Sequence, residues 1–206
     1  ALQRNNNKEW MDANRKWYKE VRDDFIGWLD EMNSRVAEFD DEYYDTPGRK
    51  AIARINNNLM FHPNKPIYKD YFGSALDKAP NSADFYIEIG LENSMLAGGF
   101  WRPDSKTLRS IRDAIDYDGE EFKKIINKKS FKNAFGDLYA DEKLKTSPKG
   151  FSKDHPHIDL LRKKTFAVTQ TFPNKVVLSA GFEEKIIEVY KEMLPFRRYL
   201  NKAVSV

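Results

Sequence analysis

Two of the chain's three histidines lie in one short segment, KDHPHID, at residues 153–159. Asp154 and Asp159 flank them. Two imidazoles beside carboxylates are typical ligands of a divalent metal ion, and one imidazole beside one carboxylate is a typical acid–base pair. The segment therefore allows three interpretations: a metal site, an acid–base site or a capped turn.

Pro156 separates the two histidines and decides between these interpretations. If it opens the helix PHIDLLRKK at its first position, the two rings point apart and His155 becomes an N-cap or pre-cap residue. We therefore predict a structural cap or surface turn, with no metal site and no cofactor. A further interpretation keeps His155 as a ligand-binding or acid–base residue, because the positive end of a helix dipole favours neutral imidazole and bound anions.

Basic residues cluster in two segments that contain aromatic rings. NKPIYK supplies Lys65, Tyr68 and Lys69, and SPKGFSKDHP supplies Lys149 and Lys153. Lysine and arginine with interleaved rings bind phosphates or stack on bases. Short charged clusters are also ordinary solvated faces, so a basic ligand site and a plain surface both remain open.

The elements that would position these residues begin with a helix. Apolar residues follow three- and four-residue steps over residues 8–39, and Asn6 or Asn7 is a plausible N-cap. Three tryptophans, Trp10, Trp17 and Trp28, lie on this stripe. The stripe predicts a helix that either packs on a core or lines a ligand surface.

Strands are predicted next. Residues 51–61 read as a strand with Arg54, Asn56 and Asn58 on one face. Residues 84–92 and 95–101 read as a hairpin, with Tyr86 and Glu88 on its polar face. The Gly98–Gly99 pair in its second strand is too small to pack, so it predicts a bulge or a close backbone approach. If the polar residues of the two strands share a sheet face, that face is either exposed to solvent or the floor of a pocket.

The rest of the chain indicates the fold class. Helices are predicted after Pro103 or Asp104, up to Gly136, and from about residue 180 to the end, and a strand is predicted at residues 166–172. The order is not a βαβ alternation, so we expect an α+β fold in which a mainly antiparallel sheet is covered by helices, with long N-terminal and C-terminal helices. We expect a single domain over residues 1–206, with residues 1–44 as a helical segment packed on it.

The composition excludes several classes of site. The chain has no cysteine, which rules out disulfides, thiolate metal sites and a cysteine nucleophile and fits a cytoplasmic protein. Its 35 basic and 32 acidic side chains nearly cancel, so the net charge of +3 does not by itself indicate nucleic-acid binding. No apolar run approaches the roughly 18 residues of a membrane span, so we expect no membrane among the partners. The common phosphate-loop, nucleophile-elbow and zinc-protease motifs are absent.

Four segments follow one another in an order seen in a bacterial family. They are NNNKEWMDANRKWY, FHPNKPIYKDYFG, AGGFWRPDSKTLRSIRDAID and LKTSPKGFSKDHPHIDLLRKKTFAV. Over nearly its whole length the chain resembles the conserved hypothetical proteins of the domain of unknown function 2461 family. The resemblance implies a single intracellular α+β module and brings no assigned activity.

The family elements include residues named above. The family's Lys-x-x-Tyr-Lys element is matched by Lys65, Tyr68 and Lys69. Its Asn-Asn-Asn-(Lys/Arg)-Glu-Trp, Gly-Gly-x-Trp-x-Pro and Lys-Gly-(Tyr/Phe)-x-x-Asp-His-Pro elements are matched by residues 5–10, 98–103 and 149–156.

The chain departs from the family where a charged strand is usual. After the residue matched by Arg54, the family usually has an Arg-Asp pair and then another Arg two residues on. This chain has Asn57, Asn58 and Met60 there. If the charged residues carry the family's function, this copy is altered or inactive. His157 stands where the family tends to have a small apolar residue, so it should not be a shared ligand.

Three functions remain open. The preferred hypothesis is a module that binds a small anionic or phosphate-bearing ligand in one pocket on the polar sheet face. The residues expected to line that pocket are Arg54, Lys65, Tyr68, Lys69, Lys149 and His155. The first alternative is a hydrolase-like enzyme with His155 as general acid/base, oriented by Asp154 or Glu88. The second is a structural or protein-interaction module without chemistry. Nucleic acid is a weaker possibility as a partner, and the sequence sets no oligomeric state.

Overall fold

The structure is a computed structural model that describes residues 1–140 and 143–205. Its helices are α1 (Lys8–Ala13), α2 (Arg15–Ala37), α3 (Gly48–Ala51), α4 (Ser105–Asn127), α5 (Lys129–Phe135), α6 (Ile158–Leu161), α7 (Asn174–Val177) and α8 (Phe182–Val204), after one 3-10 turn at Leu2–Arg4. Its strands are β1 (Phe72–Leu76), β2 (Asp84–Ile89), β3 (Asn93–Phe100) and β4 (Phe166–Pro173). They form an open antiparallel sheet in the order β1-β2-β3-β4, which confirms the α+β fold class.

The chain divides into two compact units. Unit 1 contains Ala1–Lys78, Tyr86–Met95 and Thr171–Glu183. Unit 2 contains Ala79–Phe85, Leu96–Gln170 and Glu184–Val206. The single domain expected over residues 1–206 stays a prediction. Among the described residues, no helix has the length and apolar character needed to cross a membrane.

In unit 1 the predicted N-terminal helix is broken once. Asn7 caps α1 by accepting a hydrogen bond from the backbone N–H of Trp10, as predicted. Asn14 then leaves helical geometry, and its side-chain amide donates to the Trp10 carbonyl at 2.8 Å. The chain restarts as α2 at Arg15. Asparagine favours such breaks because its short amide competes for backbone hydrogen bonds.

The tryptophan stripe of α2 is only partly covered. Leu29, Met32 and Val36 in the second half of the helix are fully buried. In the first half, Trp17 is 52% exposed and Val21 is 39% exposed. The stripe therefore builds a core at one end of α2 and leaves an open apolar surface at the other.

The prediction of a strand at residues 51–61 is wrong. Helix α3 includes Ala51, and only two isolated antiparallel bridges follow, from Ile52 to Ser74 and from Asn56 to Tyr68. Beyond these bridges the chain turns at residues 59–61, where Phe61 is 70% exposed. The alternation of residue types over residues 51–61 indicated a regular strand. The strand does not form because the segment that pairs with it, residues 67–74, changes register between the two bridges.

The predicted hairpin is confirmed by β2 and β3. Phe85 and Ile87 are fully buried, in line with the alternation of the sequence. The expected close backbone approach at the glycine pair is also present. A Cβ on Gly99, whose φ is +114°, would lie 2.1 Å from the Phe166 carbonyl oxygen of β4. Gly99 therefore lets β4 approach β3 within unit 2.

Unit 2 is built on an aromatic core between α4 and α8. Asp104 caps α4 by accepting from the Thr107 N–H, and Gly136 ends α5 with a positive φ, both as predicted. Phe122 of α4 packs against Phe166 and Phe196 at ring-centroid distances of 6.1 and 5.9 Å. Helix α8 continues through Pro195.

Candidate functional site

The residues predicted to line one pocket lie in both units. Unit 1 contains Arg54, Lys65, Tyr68 and Lys69. Unit 2 contains Lys149 and His155. That all six residues share one ligand stays a prediction.

In unit 1 Arg54 and Lys69 lie on an irregular hairpin formed by residues 52–57 and 67–74, and Lys65 lies in the loop that connects these two segments. Ile52 bridges Ser74, and Asn56 bridges Tyr68. The first segment therefore advances by four residues between the two bridges, whereas the second advances by six. The backbone N–H of Ala53 still donates to Gly73, and that of Lys69 donates to Ile55. The two extra residues form a bulge just after Lys69, a device that redirects side chains.

This bulge leaves the Lys69 ammonium over the opposite segment. Its Nζ donates to the backbone oxygen of Arg54 at 2.5 Å and to that of Asn56 at 3.3 Å. An ammonium has three donors, so one N–H is left for a further acceptor. Burial lowers the pKa of Lys69, and the nearby Arg54 and Lys65 lower this pKa further. Glu88 acts in the opposite direction, so Lys69 lies among charges of both signs, with Arg54 and Lys65 as its cationic neighbours.

Tyr68 is part of the core of unit 1 instead of facing a ligand. Its side chain is only 6% exposed. The side-chain amide of Asn6 donates to the Tyr68 carbonyl at 2.8 Å and accepts from the Tyr68 N–H at 2.9 Å. This two-way pairing accounts for Asn6 in the family element, because its side chain holds residues 1–6 beside Lys69, whereas the Tyr68 side chain contributes to the core.

The polar sheet face predicted around Tyr86 and Glu88 is present in unit 1. The Tyr86 O–H donates to the Glu88 carboxylate at 2.7 Å. Burial raises the pKa of Glu88, and burial together with Glu88 raises the pKa of Tyr86 above its ordinary value. Tyr86 lies over Gly73 of β1, where a Cβ would meet its hydroxyl. Several titratable groups with shifted pKa values in one place are typical of functional sites.

An aromatic groove of about 600 Å³ opens beside these residues. It is lined by Ala1, Leu2, Trp10, Met11, Asn14, Trp17, Tyr18, Val21, Asp24, Phe25, Trp28, Ile55, Lys69, Asp70, Tyr71, Phe72, Ile89, Gly90 and Leu91. All of these residues belong to unit 1. The tryptophan stripe of α1 and α2 supplies one wall, and the residues around β1 supply the Lys69 end.

The groove wall is held in place by ring stacking. Phe25 stacks on Phe72 at 5.1 Å and on Trp28 at 5.5 Å. The Trp28 indole N–H donates to Glu183 at 2.9 Å, and Arg35 binds the same carboxylate at 2.8 Å. A wall fixed in this way is preformed for a ligand, which lowers the entropic cost of binding.

In unit 2 the segment PKGFSKDHPH, residues 148–157, packs on helix α4. Arg109 of α4 donates to the Lys149 carbonyl at 2.9 Å and lies over the Phe151 ring at 4.9 Å. Gly150, whose φ is +93°, passes close to the same guanidinium. The Lys149 side chain itself is exposed. The family element in this segment therefore fixes a loop onto a helix.

His155 is held at both ring nitrogens. Its Nδ1 accepts the backbone N–H of His157 at 3.0 Å, and its Nε2 lies 2.9 Å from the Asp116 carboxylate. This arrangement sets the tautomer, with the proton on Nε2 donated to Asp116. The carboxylate beside His155 is thus that of Asp116 and not that of the predicted Asp154. The backbone N–H of Asp154 donates to the Ser152 hydroxyl.

The predicted geometry around Pro156 is wrong. Helix α6 begins at Ile158 with His157 in the N-cap position, so Pro156 does not open it and His155 is not the cap. The two rings do not diverge, since their centroids lie 5.4 Å apart. The reason is that both rings pack on α4, where His157 covers Gly119. Over residues 1–140 and 143–205, no three or more His, Asp or Glu side chains are placed to hold a metal ion.

We expect His157 to make the protein less stable in mild acid. Burial, and next Lys123, lower the pKa of His157 below its ordinary 6.5, while Glu120 and Asp116 act in the opposite direction. The unfolded chain therefore takes up this proton first, so the free energy of unfolding falls as pH drops below about 6.5, by at most about 1.4 kcal/mol per pH unit. Urea unfolding between about pH 7.5 and 5.5 measures this slope.

The matched variants for this experiment are His157→Asn and His62→Asn. The first should have a shallower slope of stability against pH than the wild type, because the titrating buried ring is gone. The second removes an exposed histidine and should keep the wild-type slope. An unchanged slope in His157→Asn would contradict this account.

Unit 2 also has an open cavity of about 730 Å³ between α4 and α8. Its lining has three carboxylates, Asp113, Asp118 and Glu121, and two cations, Arg198 and Lys202. The Tyr199 hydroxyl in its wall lies 3.0 Å from the Ala114 carbonyl oxygen and 3.1 Å from the Asp118 carbonyl oxygen, which share its one hydrogen, and burial raises the pKa of Tyr199 to about 12. With side chains of both charges in its lining and its hydroxyl occupied, this cavity favours no single ligand chemistry.

The departures from the family's charged strand, Asn57, Asn58 and Met60, lie at the end of the irregular hairpin and in the turn that follows it. Asn57 closes it, because its amide donates to the Pro66 carbonyl at 2.9 Å. The Asn58 carbonyl accepts hydrogen bonds from the backbone N–H groups of Phe61 and His62. The Met60 side chain is 81% exposed. Asn57 and Asn58 therefore keep the hairpin closed through their hydrogen bonds. The three positions lack the charged side chains that the family usually has there.

Sequence reasoning missed Asp116 and the groove walls formed by Phe25 and Phe72. Asp116 and Glu120 are four residues apart in sequence, and this spacing was the available signal. In the structure Asp118, between them, leaves helical geometry and kinks α4. No local pattern indicates which loop such a pair will bind. The aromatic partners come from segments far apart in sequence, so only the three-dimensional structure brings them together.

Comparisons with known proteins complete the description of the site. A family model described as "Conserved hypothetical protein (DUF2461)" matches residues 1–199. A search of curated proteins and a search of solved structures found no match. The match includes both the groove residues of unit 1 and the loop that packs on α4 in unit 2. The chain therefore belongs to the domain of unknown function 2461 family of conserved hypothetical proteins.

Proposed function

We propose that unit 1 is a binding module for a small amphipathic anion. The apolar body of the ligand occupies the aromatic groove, and its anionic group binds Lys69. The observation that carries this proposal is the presence of a half-buried lysine in the wall of a preformed aromatic groove. Lys149 and His155 belong to unit 2, and the proposal does not depend on them.

The size and surface of the groove support a ligand of this class. Its volume of about 600 Å³ lies within the range typical of small-molecule sites. Trp17 and Leu91 in its lining are about half exposed. Large apolar side chains grouped on an open concave surface mark binding sites, because water contact with them is unfavourable.

The charges favour an anion at the Lys69 end. Burial lowers the pKa of Lys69, and the repulsion from Arg54 and Lys65 lowers it further, while Glu88 acts in the opposite direction. A ligand carboxylate, sulfonate or phosphate would relieve this repulsion and accept the third ammonium N–H. Asp70 also lines the groove, but its carboxylate accepts from the Gln3 amide at 2.7 Å.

Replacing Lys69 by methionine should weaken binding of an anionic probe and spare its neutral counterpart. A suitable pair is 8-anilino-1-naphthalenesulfonate and N-phenyl-1-naphthylamine, which share one apolar body and differ in the sulfonate. We expect Lys69→Met to raise the Kd of the sulfonate about tenfold, the effect of one lost charge-assisted hydrogen bond. Probe fluorescence and quenching of the groove tryptophans measure both affinities.

Two further variants make this experiment decisive. Trp17→Ala should weaken both probes, because it removes groove wall, and Lys19→Met, an exposed lysine elsewhere on α2, should weaken neither. If Lys69→Met and Lys19→Met bind the sulfonate equally well, the anion is not bound at Lys69 and the proposal fails.

The hydrolase alternative has less support. A general acid/base needs a ring nitrogen that can reach a substrate, and both nitrogens of His155 have partners within unit 2. This arrangement favours a structural role for the loop at residues 148–157. The cytoplasmic location stays a prediction.

A further inference from the structure

The end of the irregular hairpin presents three consecutive apolar side chains to solvent. Leu59 is 37% exposed, Met60 is 81% exposed and Phe61 is 70% exposed. We call these three residues the apolar tip. Exposed apolar residues are common singly, but three in a row on one turn form a continuous projecting surface that the fold of unit 1 does not cover.

The sequence segment that carries the apolar tip has charge of one sign. Residues 46–69 contain Arg49, Lys50, Arg54, Lys65 and Lys69 and no aspartate or glutamate. The chain as a whole has nearly balanced charge, with 35 basic and 32 acidic side chains. This segment, which ends just before Asp70, is therefore cationic and carries an apolar turn.

The turn that carries the apolar tip is ordered by its own hydrogen bonds. The backbone N–H groups of Phe61 and His62 donate to the Asn58 carbonyl at 3.3 and 2.9 Å. The N–H of Lys65 donates to the His62 carbonyl at 3.1 Å. Pro63 and Pro66 restrict the backbone further. The apolar side chains are thus held outward by a preformed turn.

We propose that this hairpin docks on an anionic lipid surface, with the apolar tip inserted among the headgroups and the basic residues on the lipid phosphates. Membrane-surface binding grows with inserted apolar area and with basic residues near anionic lipid. A convex turn of three side chains suits insertion into a soft surface. A stable protein interface of ordinary size needs about 800 Å² from each partner, far more than one turn offers.

Single-stranded nucleic acid fits the same charge less well. Sequence-tolerant binding of bases needs several stacking rings, and the apolar tip has only Phe61. Leucine and methionine add no base recognition, whereas both partition readily into lipid. The proposal also departs from the expectation of no membrane partner, because that expectation considered only segments long enough to span a bilayer.

Vesicle co-sedimentation of the full chain tests the proposal. Vesicles of phosphatidylcholine with about a third phosphatidylserine should bind the protein, and phosphatidylcholine alone should not, because the basic residues need anionic lipid. The double variant Met60→Ser with Phe61→Ser should reduce binding to the anionic vesicles about tenfold. Added salt of about 0.5 M should weaken wild-type binding.

The control variant is Leu178→Ser, which removes a side chain that is 85% exposed elsewhere in unit 1. It should bind anionic vesicles like the wild type. Equal binding by the tip variant and the wild type, or no binding of the wild type to either vesicle, overturns the proposal. Tip-dependent retention of a single-stranded oligonucleotide without vesicle binding overturns it in favour of nucleic acid. The tip variant should still bind the naphthalenesulfonate probe, so the groove and the tip are tested separately.

Discussion

Replacing Gly99 by alanine should lower the free energy of unfolding by about 3 kcal/mol or more. The new Cβ would lie 2.1 Å from the Phe166 carbonyl oxygen and 2.9 Å from the Ala167 Cα, both in the backbone of β4. Backbone of a sheet strand cannot move aside as a side chain can. The φ of +114° adds strain for any residue with a Cβ. Thermal unfolding should show a melting temperature lower by roughly 6–12 °C.

Two other glycines serve as matched controls. A Cβ on Gly98 would meet the Met193 sulfur at 2.1 Å, but this atom belongs to a flexible side chain. Gly98→Ala should therefore cost less than Gly99→Ala. Nothing lies within 4 Å of a Cβ on Gly27 in α2, so Gly27→Ala should stabilise the protein by about 0.5–1 kcal/mol. The close approach described here would be refuted by equal melting temperatures of the Gly99→Ala and Gly27→Ala variants.

Replacing Arg197 by methionine should cost about 3 kcal/mol of stability. Arg197 is 1% exposed, and its guanidinium donates to the Ala83 carbonyl from Nε at 3.2 Å and from Nη2 at 2.7 Å. It also lies over the Tyr190 ring at 5.3 Å. Methionine keeps part of the volume but leaves the Ala83 carbonyl without these donors. Chemical denaturation at constant m-value measures the loss.

Arg197→Lys and Lys202→Met separate the causes of that loss. Lysine keeps the charge but not the planar fork that delivers two N–H groups to one carbonyl, so Arg197→Lys should have an intermediate stability. Lys202 is an exposed residue of the same helix, and Lys202→Met should unfold like the wild type. If Arg197→Met also unfolds within about 0.5 kcal/mol of the wild type, the guanidinium does not stabilise unit 2.

Features fixed by a few neighbouring residues could be predicted from the sequence. Asn7 and Asp104 cap their helices because an oxygen three residues before a free N–H is a local arrangement. Strand β2 was predicted because Phe85 and Ile87 alternate with polar residues. The close approach at the glycine pair was predicted because an unfilled strand position indicates a neighbouring backbone.

Features set by contacts distant in sequence could not be predicted. The pairing of residues 52–57 with residues 67–74 depends on a bulge whose length no local pattern gives. Pro156 did not open a helix, because His155 and His157 are drawn onto α4 by Asp116 and by the space above Gly119. The basic residues of unit 1 could be identified from the sequence. The aromatic groove beside them depends on the contact between Phe25 and Phe72, which lie far apart in sequence.

The amide pairing between Asn6 and Tyr68 bears on how the protein is prepared. These residues are 62 positions apart, yet the Asn6 side chain holds the residues ahead of it beside the groove, whose lining includes Ala1 and Leu2. Substitutions ahead of Asn6 thus change the groove as directly as substitutions in α2. Probe affinities measured on two forms of the protein should be compared only when the residues ahead of Asn6 are the same.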